Sequence, residues 1–213
     1  MPSNDPTLNA WPELPLSAWQ ETRTTLHLWM QIIGKIRLSK TPWLNHSWHA
    51  TLYLTPRGLT TSPIAEGTRQ FQIDFDFIDH RLRVTSSDGR SAAFRLSPMT
   101  VADFFQTVRE TLATLDIGMA IDQRTNEVVD PIRFSEDTQH HAYEAEYAKR
   151  FWQALLQCDR VFKAFRARFT GKCSPVHLFW GSLDLAVTRF SGREAPEHPG
   201  GIPNLPDAVT REA

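Results

Sequence analysis

The 213-residue sequence is poor in cysteine, with two copies, Cys158 and Cys173, that form no C-x-x-C pair. A disulfide-rich secreted fold and a cysteine-based zinc site are therefore excluded, and two thiols in a reducing compartment are predicted. No apolar run approaches the length of a membrane span, and residues 1–6 lack the basic region of a secretion signal. We therefore predict a cytoplasmic protein with no membrane partner.

An excess of either charge is also missing, because 23 Lys and Arg residues face 24 Asp and Glu residues. A nucleic-acid partner is therefore not expected, since such binding depends on positive charge. One local basic run, residues 149–172, is interleaved with phenylalanines at helical spacing and is interpreted as the solvated face of a helix. The sequence contains no glycine-rich phosphate loop and no nucleophile elbow, the motifs of common nucleotide-binding and hydrolase sites.

Apolar residues at helical spacing predict three helices, at residues 17–38, 101–115 and 143–169. In the first helix, the spacing predicts a single apolar stripe. Thr100, followed by Asp103, is a predicted cap of the second helix. The third is the longest of the three.

The strand pattern lies between the first two helices. Residues 48–64 predict a hairpin, and residues 70–79 alternate, so that Phe71, Ile73, Phe75 and Phe77 share one face. Strands at 81–86 and 91–96 extend this into a meander, and further short strands are predicted at 117–121 and 128–129. Because strands cluster rather than alternate with helices, we predict an α+β domain in which the three helices pack on a mainly antiparallel sheet.

The two ends of the chain differ in composition from the middle. Residues 1–16 form a proline-rich arm, and residues 194–213 form a proline- and glycine-rich tail that is predicted to lack regular structure. The single α+β domain is therefore predicted to span residues 17–193.

The stretch 172–193 carries polar residues within two apolar runs, which we interpret as strands, although the second run, residues 183–190, also fits a helix. Buried polar groups need partners, so this stretch supplies the candidate ligand-binding residues: His177, Trp180, Asp184, Arg189 and Arg193. Trp180 would offer a flat stacking surface and Arg189 a fixed set of donors, a pair suited to a planar or anionic small molecule. The alternative is structural, with a buried ion pair between Asp184 and Arg189 and with His177 hydrogen-bonded to the backbone.

No metal is expected, because no two histidines have a metal-binding spacing such as H-E-x-x-H. If a metal did bind, the candidate ligands would be His46, His49 and His80. No cofactor is identified and the oligomeric state is not predicted.

Several motifs, in order along nearly the whole chain, resemble the DUF5996 family of uncharacterised, mostly bacterial proteins. The motifs are Trp11-Pro-x-Leu-Pro-Leu-x-x-Trp19, Thr25-Leu-His-Leu-Trp29, Asn45-His-x-Trp-His49, Tyr53-Leu-Thr-x-Arg-Gly-Leu-Thr-Thr61, Phe75-Asp-Phe-Ile-Asp-His80, Ser174-Pro-Val-His-x-Phe-Trp-Gly-Ser182 and Asp184-Leu-Ala-Val-Thr-Arg-Phe-Ser-Gly-Arg193. The resemblance implies no activity and transfers no site residue. It also implies that relatives continue past Ala213, so that this chain would be cut short.

Two hypotheses about function follow. The first is a small-molecule-binding or interaction module. The second is a small-molecule enzyme that uses His177, with Arg189 as an anion clamp and with a metal in one version.

Overall fold

A computed structural model describes residues 11–211 of the chain. The elements in chain order are α1 (Leu16–Lys40), β1 (Tyr53–Thr55), β2 (Gly58–Thr60), β3 (Ile64–Glu66), β4 (Arg69–Asp76), β5 (Arg81–Ser86), β6 (Ser91–Arg95), α2 (Val101–Ala113), α3 (Ala145–Arg166), β7 (His177–Phe179), β8 (Asp184–Ala186) and α4 (Asp207–Arg211), with 3₁₀ turns at Asn45–Ser47 and Phe134–Glu136. The α+β class is confirmed.

Strands β1 to β6 form one antiparallel sheet with the order β1-β2-β4-β5-β6, and β3 pairs with the other end of β4. The predicted alternation in β4 is confirmed, because the four phenylalanine and isoleucine side chains at positions 71, 73, 75 and 77 are at most 2% exposed. This face packs against α2, whose buried stripe includes Phe104, and Phe104 in turn stacks on Trp29 of α1 at 4.6 Å between ring centroids. Thr100 caps α2 by accepting a hydrogen bond from the Asp103 amide, as predicted.

Helix α1 lies at the centre of the molecule, and every residue from Leu28 to Arg37 is buried. The sequence predicted one buried apolar stripe, but in this part of α1 every face is buried. One side of α1 meets α2 and α3, and the polar side, which carries Gln31, Lys35 and Arg37, is covered by later segments of the chain. A helix covered on all sides must satisfy its polar groups with partners inside the protein.

Strands β7 and β8 form a separate antiparallel hairpin, which resolves the strand-or-helix alternative in favour of a strand at Asp184–Ala186. Leu52, just before β1, joins this hairpin to the region of the large sheet through two backbone hydrogen bonds with Leu178, of 3.0 and 2.8 Å. The hairpin therefore places residues 180–183 beside α1 and the segment before β1.

Helix α3 is shorter than the predicted 143–169, and its buried residues all lie in its first half: Ala148, Phe151, Trp152 and Leu155. Its C-terminal half is largely exposed, including Phe165. Beyond the helix, Ala167 is extended and Arg168 has a left-handed φ of 65°.

The predicted strand at 117–121 is absent from the described structure. The reason is the end of α2, where Asp116 adopts a left-handed φ of 56° and the amides of Asp116 and Ile117 bond the carbonyls of Ala113 and Leu112. This Schellman arrangement uses the Ile117 amide for the helix cap. The prediction at 128–129 is also wrong, because left-handed residues, Glu127 and Asp130, flank the pair.

The tail is better ordered than its composition predicts, since residues Asp207–Arg211 form the short helix α4 and Thr210 is buried. It packs on the loop between α2 and α3. Asn126 donates to the Asn204 carbonyl (2.6 Å), Asn204 donates to the Thr125 carbonyl (2.7 Å), and the Glu127 amide donates to the Pro203 carbonyl (2.8 Å).

Candidate functional site

A cleft of about 530 Å³ opens where four parts of the chain meet: the end of α1 with the segment that follows it, the loop at residues 126–127, the β7–β8 turn and the tail. We call it the Trp180 cleft. Its lining residues are Leu38, Trp43, His46, Ser47, His49, Ala50, Asn126, Glu127, Phe179, Trp180, Gly181, Ser182, Asp184, His198, Ile202, Leu205, Pro206, Val209 and Thr210. The volume lies within the range of small-molecule sites in proteins, roughly 300 to 1,000 Å³.

Trp180 forms a fixed wall of the cleft. Its indole N–H donates to the Ala50 carbonyl at 2.7 Å, and only 7% of the residue is exposed. The ring lies directly on Gly34 of α1, where a Cβ atom would overlap it. Glycine at position 34 therefore allows the indole to pack on the helix backbone, which holds the ring in one orientation.

Two polar side chains on α1 hold the opposite edges of the cleft together. His27 Nε2 donates to the carbonyls of Trp180 (3.0 Å) and Gly181 (2.8 Å). Gln31 donates to the Asn126 carbonyl (2.9 Å) and accepts from the Asn126 amide (2.8 Å). Burial lowers the pKa of His27, so the neutral donor form is favoured. The loop and the turn are thus positioned by the same helix.

Two carboxylates lie on the polar side of the cleft. Ser182 donates to Asp184, and it also hydrogen-bonds Glu127. Burial raises the pKa of Glu127, and the charge of Asp184 raises it further. Gly181 leaves space for the Glu127 carboxylate, because a Cβ atom there would overlap it. Among the described residues that line the cleft, none is a lysine or an arginine, so no cation in the lining compensates this pair.

The three histidines predicted as candidate metal ligands do not form one group, and each has a hydrogen-bond partner within the protein. His46 accepts from Lys172 Nζ at 2.6 Å, and His49 is buried with its Nδ1 3.1 Å from the Leu44 amide. His80 lies elsewhere, with Nδ1 2.9 Å from the Tyr143 hydroxyl. Within residues 11–211, no three His, Cys, Asp or Glu side chains are grouped as metal ligands would be.

Two of the five predicted site residues, Trp180 and Asp184, line the cleft, and the other three lie outside its described lining. His177 is 1% exposed and donates from Nδ1 to the Pro175 carbonyl at 2.8 Å. Burial lowers its pKa. The hairpin register pairs His177 with Ala186, so it does not bring His177 and Arg189 together as a base and an anion clamp.

The predicted ion pair between Asp184 and Arg189 is wrong. Asp184 is exposed and accepts from Ser182, whereas the Arg189 guanidinium lies over the rings of Phe165 (4.0 Å) and Phe169 (5.1 Å). Arg193 is exposed. Asp184 begins β8, whereas Arg189 lies three residues beyond the end of this strand and pairs across a bridge with Cys173.

Sequence reasoning missed the residues that build the site, namely His27, Gln31, Asn126, Glu127 and Gly181. Two of them lie in a long polar loop, and loops of that length often carry function. Gln31 offered a second signal, because it interrupts the apolar run of α1 and so had to find a buried partner.

A second concave region, the basic depression, lies at the end of α3. It has a volume of about 560 Å³ and is lined by Lys163, Arg166, Ala167, Arg168, Phe169, Gly171 and Cys173. Arg189, which the sequence suggested as an anion clamp, lies on this side of the molecule, stacked on Phe169.

In the part of the chain that the structure describes, no helix is both long and apolar enough to cross a membrane. Neither a curated protein nor a solved structure matches this chain. Residues 11–213 match the family described as "Family of unknown function (DUF5996)". Because the match covers almost the whole chain and agrees with the motifs quoted above, the protein belongs to the DUF5996 family.

Proposed function

We propose that the protein is a small-molecule-binding module and that its ligand is a flat, largely apolar molecule held in the Trp180 cleft. The observation that carries the proposal is the fixed indole of Trp180, which forms a wall of a cleft of about 530 Å³. A rigid aromatic surface at a concave site binds planar molecules well, because little conformational freedom is lost on binding.

Two further aromatic side chains support this proposal. Phe179 precedes Trp180 in the lining, and Trp43 lies at the rim with 60% of its surface exposed. An indole exposed to this extent gains by contact with an apolar partner, since burying apolar surface contributes roughly 25 cal/mol per Å². Leu38, also exposed, adjoins the same rim.

The alternative of an enzyme that uses His177 receives less support. The imidazole is buried behind the described lining of the cleft, and its Nδ1 is used by the Pro175 carbonyl. The anion clamp has the same difficulty, because Arg189 stacks on phenylalanines at the end of α3. A planar ligand therefore fits the cleft better than an anionic one.

Isothermal titration calorimetry with indole and 3-ethylindole tests the proposal, together with a variant that fills the cleft. Val209 lines the cleft on α4, and Val209→Trp should abolish binding by occupying the ligand's space. The matched control is Ala208→Trp, at the exposed neighbouring position outside the described lining, which should bind as the wild type does. Two results would overturn the proposal. One is binding that persists in Val209→Trp, and the other is a wild-type protein that binds neither indole, nor 3-ethylindole, nor the amine tryptamine.

A further inference from the structure

We propose that the ligand carries a protonated amine and that Glu127 and Asp184 bind this group at the polar side of the Trp180 cleft. This inference rests on the proposed function, since it concerns the ligand of the same cleft. It specifies the chemical class as an organic cation with an aromatic or otherwise apolar body.

The first argument is the uncompensated charge of the two carboxylates. Ser182 donates to Asp184 and is also hydrogen-bonded to Glu127, so the two carboxylates lie close together. Burial and the negative charge of Asp184 both increase the cost of ionising Glu127. Elsewhere on the surface, carboxylates of this protein have cationic partners, as Asp79 has in Arg57 and Arg83. In the described lining of the cleft there is no such partner, and a bound ammonium group would supply one.

The second argument is an unsatisfied acceptor next to Glu127. Asn126 is 8% exposed and its Nδ2 donates to Asn204, but its Oδ1 is buried without a hydrogen-bond partner in the described structure. A buried acceptor without a donor is unfavourable, because the hydrogen bond to water that it lost on folding is not replaced. Together with the two carboxylates, it makes the electrostatic potential on this side of the cleft negative, which favours a group that only donates.

The third argument is the aromatic wall. The face of an indole attracts a cation, and the attraction is stronger where water is excluded. Lys35 lies 5.8 Å from the centroid of the Trp180 ring, but it is outside the described lining of the cleft. Burial lowers the pKa of its amine, although the charge of Asp122 opposes this shift. The cleft thus combines a flat apolar surface with acceptors, the two features that an aromatic amine requires.

The experiment compares three probes that share one ring system, by isothermal titration calorimetry at about pH 8, where an alkylammonium group is protonated and ordinary carboxyl groups are ionised. The probes are tryptamine, 3-ethylindole and indole-3-propionate. We expect tryptamine to bind about tenfold more tightly than 3-ethylindole, a factor that corresponds to about 1.4 kcal/mol, and indole-3-propionate to bind most weakly.

Variants then assign the preference to the two carboxylates. Glu127→Gln and Asp184→Asn should each reduce the advantage of tryptamine over 3-ethylindole severalfold, and the double variant should remove it. Glu21→Gln, an exposed change on α1 outside the described lining, is the control and should retain the full advantage. Gly181→Ala is a second test that preserves all charges, because its methyl group would displace the Glu127 carboxylate and should reduce the same advantage.

The outcomes separate this inference from the proposed function. Equal affinity for the three probes, or a tryptamine advantage that persists in the double variant, would overturn the amine assignment and leave the binding function intact. Absence of binding by all three probes would overturn both. A melting curve of each variant shows whether the variant is folded. If a carboxylate variant does not fold, Gly181→Ala tests the amine assignment in its place.

Discussion

The Trp180 cleft and the basic depression have nearly equal volumes, about 530 and 560 Å³, but opposite charge. The cleft contains two carboxylates and three aromatic walls, whereas the depression is lined by Lys163, Arg166 and Arg168. A chain with a net charge of −1 therefore separates its charges into two concave regions. Overall charge, from which we expected no nucleic-acid partner, says nothing about such local separation.

The two regions also differ in how they are built. The depression is formed by neighbours in sequence, residues 163–173, and cations in the last turn of α3 stabilise the helix through its macrodipole. The cleft is assembled from distant segments by buried hydrogen bonds, such as those of His27 and Gln31. Packing of these segments does not by itself require an open space between them. The comparison therefore favours the cleft as the candidate functional region.

The largest expected effect is that of Trp180→Ala, which removes a buried wall of the cleft. Loss of a buried tryptophan costs about 3 to 5 kcal/mol of unfolding free energy, and the Ala50 carbonyl also loses its donor. Urea denaturation followed by circular dichroism measures the change. The control is Phe169→Ala in the basic depression, where the ring is only half-buried, and we expect a loss of about 1 kcal/mol. Equal losses for the two variants would contradict the difference between the regions.

An intermediate effect is expected for Arg189→Ala. A buried ion pair with Asp184 would have cost about 3 to 5 kcal/mol on removal. Because the guanidinium instead stacks on Phe165 and Phe169, we expect about 1 kcal/mol. Affinity for probes in the Trp180 cleft should not change, which calorimetry checks.

Arg193→Ala, at an exposed position four residues beyond the bridge residue Arg189, is the matched control for Arg189→Ala and should have no measurable effect on stability. If Arg189→Ala loses affinity for the probes while its stability is unchanged, the basic side of the molecule takes part in ligand binding. That result would contradict the separation between the Trp180 cleft and the basic depression.

The smallest effect is a dependence of stability on pH. The pKa of Glu127 is raised above 4.5 in the folded protein, mainly by burial, so the folded state favours the protonated form. Wild-type protein should therefore lose stability as the pH rises from 4.5 through the raised pKa. Glu127→Gln, which has no charge to bury, should be more stable than wild type at about pH 8, by less than about 1 kcal/mol for a half-exposed group.

Thermal melting of wild type and Glu127→Gln from about pH 4 to 8 measures this difference. The acid end of the series is an internal control, because both side chains are neutral below the ordinary pKa of glutamate. If Glu127→Gln is less stable than wild type only at the alkaline end of the pH series, burial is not the cause of the raised pKa of Glu127.

The sheet could be predicted from the sequence because its signals are local. The alternation through Phe71, Ile73, Phe75 and Phe77 depends only on the two-residue period of a strand, and the Thr100 cap depends on a spacing of three. Each of these patterns is complete within a few residues.

The candidate site could not be predicted in the same way. Glu127 and Asp184 meet only because α1 binds the loop before one and the turn before the other, and no spacing in the sequence encodes that meeting. The stretch 172–193 includes Trp180 and Asp184, which line the cleft, but the sequence grouped them with His177 and Arg189, which lie in other surroundings. The pattern gave no information about which faces of the hairpin would be covered.

The hydrogen bonds across the cleft join residues far apart in sequence, with separations of 78 between Asn126 and Asn204 and 153 between His27 and Trp180. The hairpins of the large sheet instead join near neighbours. Closing long loops costs more entropy and slows folding. We therefore expect the sheet to form first and the cleft last. By the same reasoning, partial unfolding should open the cleft while β4 and β5 remain paired, and a bound ligand, by holding the distant segments together, should slow that opening.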